Sequence, residues 1–178
     1  MPLGNLRDLY QQTILERYKN PRYRGKTNPV HRQQRGHNPS CGDTIELTLR
    51  LSDAGDAIEE VMFEGEGCAI SMASADLMAE ALRGKSIEDA LEMVKRFQCM
   101  MKGEAEFPQE SRKLNVMQGF AQFPTRIKCA NLCWDAIKAA LESSDITAEK
   151  QEAEEQNAEE QNAEKQNAEN QNNLVTTE

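Results

Sequence analysis

Apolar and polar positions alternate most cleanly between Thr44 and Leu51. Ile45, Leu47, Leu49 and Leu51 fall on one side of an extended chain, and Thr44, Glu46, Thr48 and Arg50 on the other, as in a strand buried on one face. The turn formers Ser52-Asp53-Ala54-Gly55-Asp56 come next, and a second alternating run spans Ile58 to Glu64. Together they predict an antiparallel hairpin. A third strand completing a small sheet is expected either in residues 25–38 or in 104–108.

Elsewhere the period is helical. Leu6, Leu9, Tyr10, Ile14 and Tyr18 predict a helix over residues 5–18, ended by Asn20-Pro21 because proline disfavours the helical region for its predecessor. Residues 19–37 are basic and rich in Asn, Pro and Gly, and read as an irregular crossing loop. Ile70, Ala73, Leu77 and Ala81 form the stripe of a helix broken at Gly84. Ser86 offers an N-cap to a helix marked by Ile87, Ala90, Leu91, Val94 and Phe97. Residues 103–112 read as a loop, and a short helix is expected over Arg112 to Gln118. The last helix is expected from Ala130, with Ile137, Ala140 and Leu141 on its apolar face. The fold class is α+β: a small antiparallel sheet of about three strands packed against several helices.

After Ser144 the composition changes. Residues 153–172 are four near-copies of Ala-Glu-Glu-Gln-Asn, with Lys165 and Asn170 as deviations. A period of five builds neither a heptad seam nor an amphipathic stripe, so residues 145–178 are expected to be a disordered acidic tail, and 1–144 the folded domain. This split changes the meaning of the charge. From Asp145 onward ten acidic and two basic residues carry −8 of the net −9, leaving −1 for residues 1–144. Residues 1–37 hold eight Lys or Arg against two acids. That basic head fits either an acidic partner or a solvated face beside a negatively charged site. No run is apolar and long enough to span a membrane, and the N-terminus lacks the apolar core of a signal peptide. No nucleic-acid motif is present. Five cysteines, an odd number, argue against a disulfide framework and for metal or reactive-thiol use in the cytoplasm.

Three of the cysteines stand beside turn residues or at element ends. Asn38-Pro39-Ser40-Cys41-Gly42-Asp43 sets a thiol and a carboxylate two residues apart on a tight turn that feeds a strand. Cys68 follows Gly65-Glu66-Gly67, and Cys129 follows Arg126-Ile127-Lys128; both are expected just ahead of helices, where free N–H groups favour a thiolate. Three thiols and a carboxylate suit a four-ligand metal site, although the spacing is not that of a zinc ribbon. Cys99 reads as a small apolar filler. Cys133, one turn after Cys129, reads as core filler or as a spare thiol able to resolve a persulfide. His31 and His37 lie in the basic loop; His37 is four residues from Cys41 and is a weaker ligand candidate. Arg126 and Lys128 are either counter-charges to the site or ordinary surface cations.

On these motifs, with Gly65-Glu66-Gly67-Cys68-Ala69-Ile70-Ser71 and Arg126-Ile127-Lys128-Cys129 added to the Cys41 turn, the chain resembles the U-type iron–sulfur assembly proteins over residues 5–142, and specifically the SufU-type sulfurtransferases. Related IscU scaffolds carry a histidine before the third cysteine, where this chain has Lys128, and a shorter stretch between the second and third cysteines. The resemblance implies a zinc ion held by Cys41, Asp43, Cys68 and Cys129, and a SufS-type cysteine desulfurase, a PLP enzyme, as partner. It further implies Cys41 as the acceptor of persulfide sulfur, with a partner histidine replacing it on the metal, Arg126 as an orienting group, and a SufBCD-type scaffold downstream. The alternative it leaves open is a scaffold that builds an iron–sulfur cluster on the same four residues. A third reading is a non-enzymatic module whose zinc only holds the fold.

Overall fold

The computed structural model describes residues 3–143; the expectations for 145–178 lie outside the described residues. The order is α1 (Leu3–Lys19), β1 (Arg32–Asn38), β2 (Asp43–Leu51), β3 (Ile58–Glu66), α2 (Ala69–Leu82), α3 (Ile87–Met100), a 3₁₀ segment (Gln109–Phe120) and α4 (Pro124–Glu142). The three strands form one antiparallel sheet in the order β1-β2-β3, so the architecture is α+β.

The hairpin is as the alternation predicts. Ile45, Leu47, Leu49 and Leu51 are buried, and Ile58, Val61 and Phe63 join them from β3. Ile58 and Val61 share a face although three residues apart, because the register shifts between Arg50 and Leu51, pairing them with Glu60 and Ile58 and leaving Glu59 as the extra residue of a bulge. The third strand is the first of the two candidates. β1 pairs with β2 from Arg32–Leu49 to Asn38–Asp43, and residues 104–108 form no strand. Its polar sequence hides it, but Gly36 makes it possible. A Cβ there would stand 3.1 Å from Leu132 Cδ1 and 3.2 Å from Ile45 Cγ2, so any larger residue would push those side chains back, and glycine lets α4 lie close to the sheet. The loop reading of 19–37 therefore fails at its C-terminal third. Its earlier part is also ordered: the Gly25 N–H bonds the Phe63 carbonyl at 2.8 Å, and the Thr27 N–H bonds Thr48 Oγ1 at 2.9 Å.

α2 is the central helix. It is buried almost all round from Ile70 to Ala79, not on one stripe alone. α3 begins as expected, with Ser86 Oγ accepting the Asp89 N–H at 3.0 Å. Two helical expectations need correcting. The short helix at 112–118 is a 3₁₀ segment from Gln109 to Phe120, with a non-helical kink at Ser111. α4 starts at Pro124, six residues before Ala130, because proline at the first helical position loses no hydrogen bond there.

In α1 the expected stripe is only partly right. Ile14 is buried, but Leu9 and Tyr18 are 49% and 44% exposed, and the other buried position is Arg17; the side chain of Leu6 is outside those described. Arg17 Nη1 reaches Asp76 Oδ2 at 2.8 Å, and Nη2 reaches Glu80, both on α2. Asp76 Oδ1 accepts the N–H groups of Arg22 at 2.7 Å and Tyr23 at 2.9 Å. This buried pair ties α1 and the following loop to the centre of the fold.

Candidate metal centre

One end of the sheet gathers the β1–β2 turn, the β3–α2 junction and the first turns of α4. The turn reverses at Gly42, whose φ of +70° is open to glycine at little cost. It leaves Cys41 exposed and turns Asp43 fully inward. At the junction, Gly65 has φ +143°, and a Cβ would stand 2.1 Å from the Thr44 carbonyl oxygen, so no side chain fits. Cys68 is the N-cap of α2, as expected. Cys129 is not at the start of α4 but in its second turn, buried, with Sγ 3.5 Å from the Thr125 carbonyl oxygen. Its backbone N–H is therefore spent inside the helix, and its thiol gets no help from a free helix end.

Ligand atoms of Cys41, Asp43 and Cys129 all lie within 4.8 Å of one another. Tetrahedral zinc with thiolate bonds of 2.3 Å asks for ligand separations of about 3.8 Å, so the cluster needs only small side-chain movements. Cys68 is outside that mutual set but close enough to act on it. The Cys129 thiol is pushed well above its ordinary range, first by burial and then by facing Cys41, Asp43 and Cys68. A dication placed among them would reverse that penalty. A soft donor set with one buried carboxylate therefore fits zinc.

A residue that sequence reasoning treated only as a turn former organises the centre. Asn38, 5% exposed, donates from Nδ2 to Asp43 Oδ2 at 3.0 Å and to Cys129 Sγ at 3.5 Å, while its Oδ1 accepts the Ser40 N–H at 3.3 Å. Asp43 Oδ1 accepts the Cys68 N–H at 2.8 Å. Gly67 makes that bond possible: a Cβ there would be 2.7 Å from Asp43 Oδ1. The only sign in the sequence was the concentration of Asn and Gly around the cysteines.

The other candidates lie elsewhere. Arg126 and Lys128 are exposed on the first turns of α4, their side chains without hydrogen bonds or ion pairs among the described residues; Arg126, three residues before Cys129, is on its side of the helix. His31 is structural, its Nδ1 accepting the Leu51 N–H at 2.9 Å, and His37 is exposed on β1 outside the ligand cluster. Cys99 is half-buried at the end of α3. Cys133 is core: its thiol meets Ser74 Oγ at 3.4 Å, beside Trp134, whose ring stacks on Phe97 at 4.3 Å.

The site is thus a cluster of cysteines and one buried aspartate at one end of a three-stranded α+β domain. The chain belongs to the NifU-like N-terminal domain family, whose model matches residues 9–151. It is 45% identical over 143 residues to the zinc-dependent sulfurtransferase SufU of Bacillus subtilis, covering 80% of this chain and 95% of that protein. It is 39% identical over 145 residues to the iron–sulfur cluster assembly scaffold protein IscU of Streptococcus pyogenes, covering 81% and 89%. Among solved structures, a putative iron–sulfur cluster assembly scaffold protein for the SUF system from Fervidobacterium islandicum superposes with a TM-score of 0.67 at 37% identity, over 74% of this chain and 95% of that one.

Proposed function

We propose that this protein is a zinc-dependent sulfur carrier that accepts persulfide sulfur from a cysteine desulfurase of the SufS type and passes it towards iron–sulfur cluster assembly. The observation that carries this reading is the asymmetry of the cluster: Cys41 is exposed at a turn, while Asp43 and Cys129 behind it are buried. One thiol is presented, Cys68 is half-buried, and Asp43 and Cys129 are retained inside. The 45% identity to a zinc-dependent sulfurtransferase and Lys128 in place of the scaffold histidine support it.

Cys41, Asp43, Cys68 and Cys129 would hold the metal. When bound, zinc supplies a positive charge without redox activity and keeps the thiolates deprotonated. The Cys41 thiolate attacks the outer sulfur of the donor persulfide. The donor's S–S bond breaks as the Cys41 S–S bond forms, the donor cysteine leaves as a thiolate, and no net oxidation occurs. Asn38 and the α2 N-terminus hold Asp43 in place meanwhile. Arg126 would steady the incoming persulfide or the departing thiolate.

Alanine release by a cognate desulfurase, with the zinc-loaded protein under reducing conditions, tests this. A saturable stimulation is expected, falling to the desulfurase-alone rate with Cys41→Ala; an unchanged rate in that variant would overturn the mechanism. The relatives named as scaffolds and a thiol set that also suits iron favour a second reading, assembly of a cluster on the same residues. Absence of stimulation, with uptake of iron and sulfide by the anaerobic protein, would select it.

A further inference from the structure

Ser71 is 1% exposed, and its hydroxyl has no hydrogen-bond partner among the described residues. A buried hydroxyl without a partner is costly, so its position requires a reason. Its surroundings supply one. Ser71 is the third residue of α2, one turn after the N-cap Cys68. At the point where a Cβ on Gly67 would stand, Ser71 Oγ is 3.0 Å away and Asp43 Oδ1 is 2.7 Å away. The absent side chain thus leaves a small space into which the hydroxyl and the carboxylate both project.

The two oxygens of Asp43 are not equivalent. Oδ2 shares the Asn38 amide with Cys129 Sγ and so lies on the thiol side. Oδ1 points back to α2 and takes the Cys68 N–H. At many helix starts the third residue's side chain reaches back to the N-cap N–H; here Asp43 has taken that bond and left Ser71 without it.

Resting on the metal-binding reading above, we infer that Ser71 is a positioning residue for the centre. Its hydroxyl donates to Asp43 Oδ1 once the carboxylate commits Oδ2 to the metal, holding Asp43 as a one-oxygen ligand. The proton stays on Ser71, and Oδ1 is then held by two donors. Groups that fix a ligand from behind typically change metal affinity by 10–100-fold when removed.

Cobalt(II) titration of the metal-free full-length chain tests this, since its visible bands report ligand geometry without any partner enzyme. Ser71→Ala is expected to weaken cobalt binding about tenfold and to shift those bands. Ser71→Thr, which keeps the hydroxyl, is expected to restore both. The metal-free Ser71→Ala protein should unfold at the same temperature as wild type or higher, because it loses an unsatisfied group. Equal affinity and identical bands in Ser71→Ala would overturn the inference, as would an affinity loss matched by an equal loss of metal-free stability. If the wild-type protein binds no cobalt, the metal-site reading itself fails, and Ser71 with it.

Discussion

Two cysteines one helical turn apart on α4 have separate fates. Cys129 turns toward Asp43 and Cys41, whereas Cys133 turns toward Ser74 and Trp134 in the core. Burial raises the Cys133 thiol from 9.0 to about 12. The native protein therefore holds that proton more tightly than the unfolded chain. The resulting stability is present in full below pH 9.0 and is lost as pH rises towards about 12. Denaturant titrations across this alkaline range should show a steeper loss of stability in wild type than in Cys133→Ala; parallel curves would show that the thiol does not carry it. At this scale the candidate ligands were legible in the sequence, but not the residues packed behind them. Cys41, Asp43, Cys68 and Cys129 announce themselves by type and by their turn-forming neighbours. Asn38 and Ser71 do not: Asn38 reaches Cys129 across 91 residues of sequence, and Ser71 comes near Asp43 only through the fold around Gly67.

Among the elements, those with a regular period were legible and those held by polar contacts were not. β2 and β3 could be read from alternation, and α3 from its cap and stripe. β1 could not, since Arg32-Gln33-Gln34-Arg35 has no apolar alternation and the strand is set by pairing and by the close pass of α4 over Gly36. α1 misleads for a related reason: its inward face carries an arginine, and Leu9 and Tyr18 face out. Burial opposes the charge on Arg17, yet the hydrogen bonds to Asp76 and Glu80 outweigh it and raise its pKa. Burial likewise works against the charge on Glu80, and bonds from Lys113 and Arg17 hold its carboxyl below the usual range. Asp76→Ala would leave Arg17 partly unpaired in the core and strip two loop N–H groups of their acceptor. A loss of about 3–5 kcal/mol is expected in equilibrium denaturation. A loss below about 1 kcal/mol would mean that the pair is energetically replaceable.

On the scale of the molecule, most cations of the basic head meet acceptors within the domain. Arg17, Arg22, Lys26 and Arg35 face carboxylates, and Arg24 donates to the Gly65 carbonyl at 2.7 Å. Arg32 has a different use. Its guanidinium donates to the carbonyls of Ala140 at 3.1 Å and Leu141 at 2.8 Å, satisfying the last turn of α4 from the sheet. The Ser143 N–H bonds the Ala139 carbonyl at 3.1 Å and closes the helix. The end of α4 is therefore completed by residues that precede Ser144, and the candidate centre lies at the other end of that helix, around Cys129. Removing residues 146–178 should consequently leave zinc content, unfolding temperature and desulfurase stimulation unchanged, while making the net charge less negative. Metal analysis, thermal unfolding and alanine release on the truncated protein check this together. A fall in zinc content or unfolding temperature would mean that the acidic repeats support the domain. A fall in stimulation alone, reversed by higher salt, would instead assign the repeats to the encounter with the desulfurase, because interactions between exposed charges are the ones that salt screens.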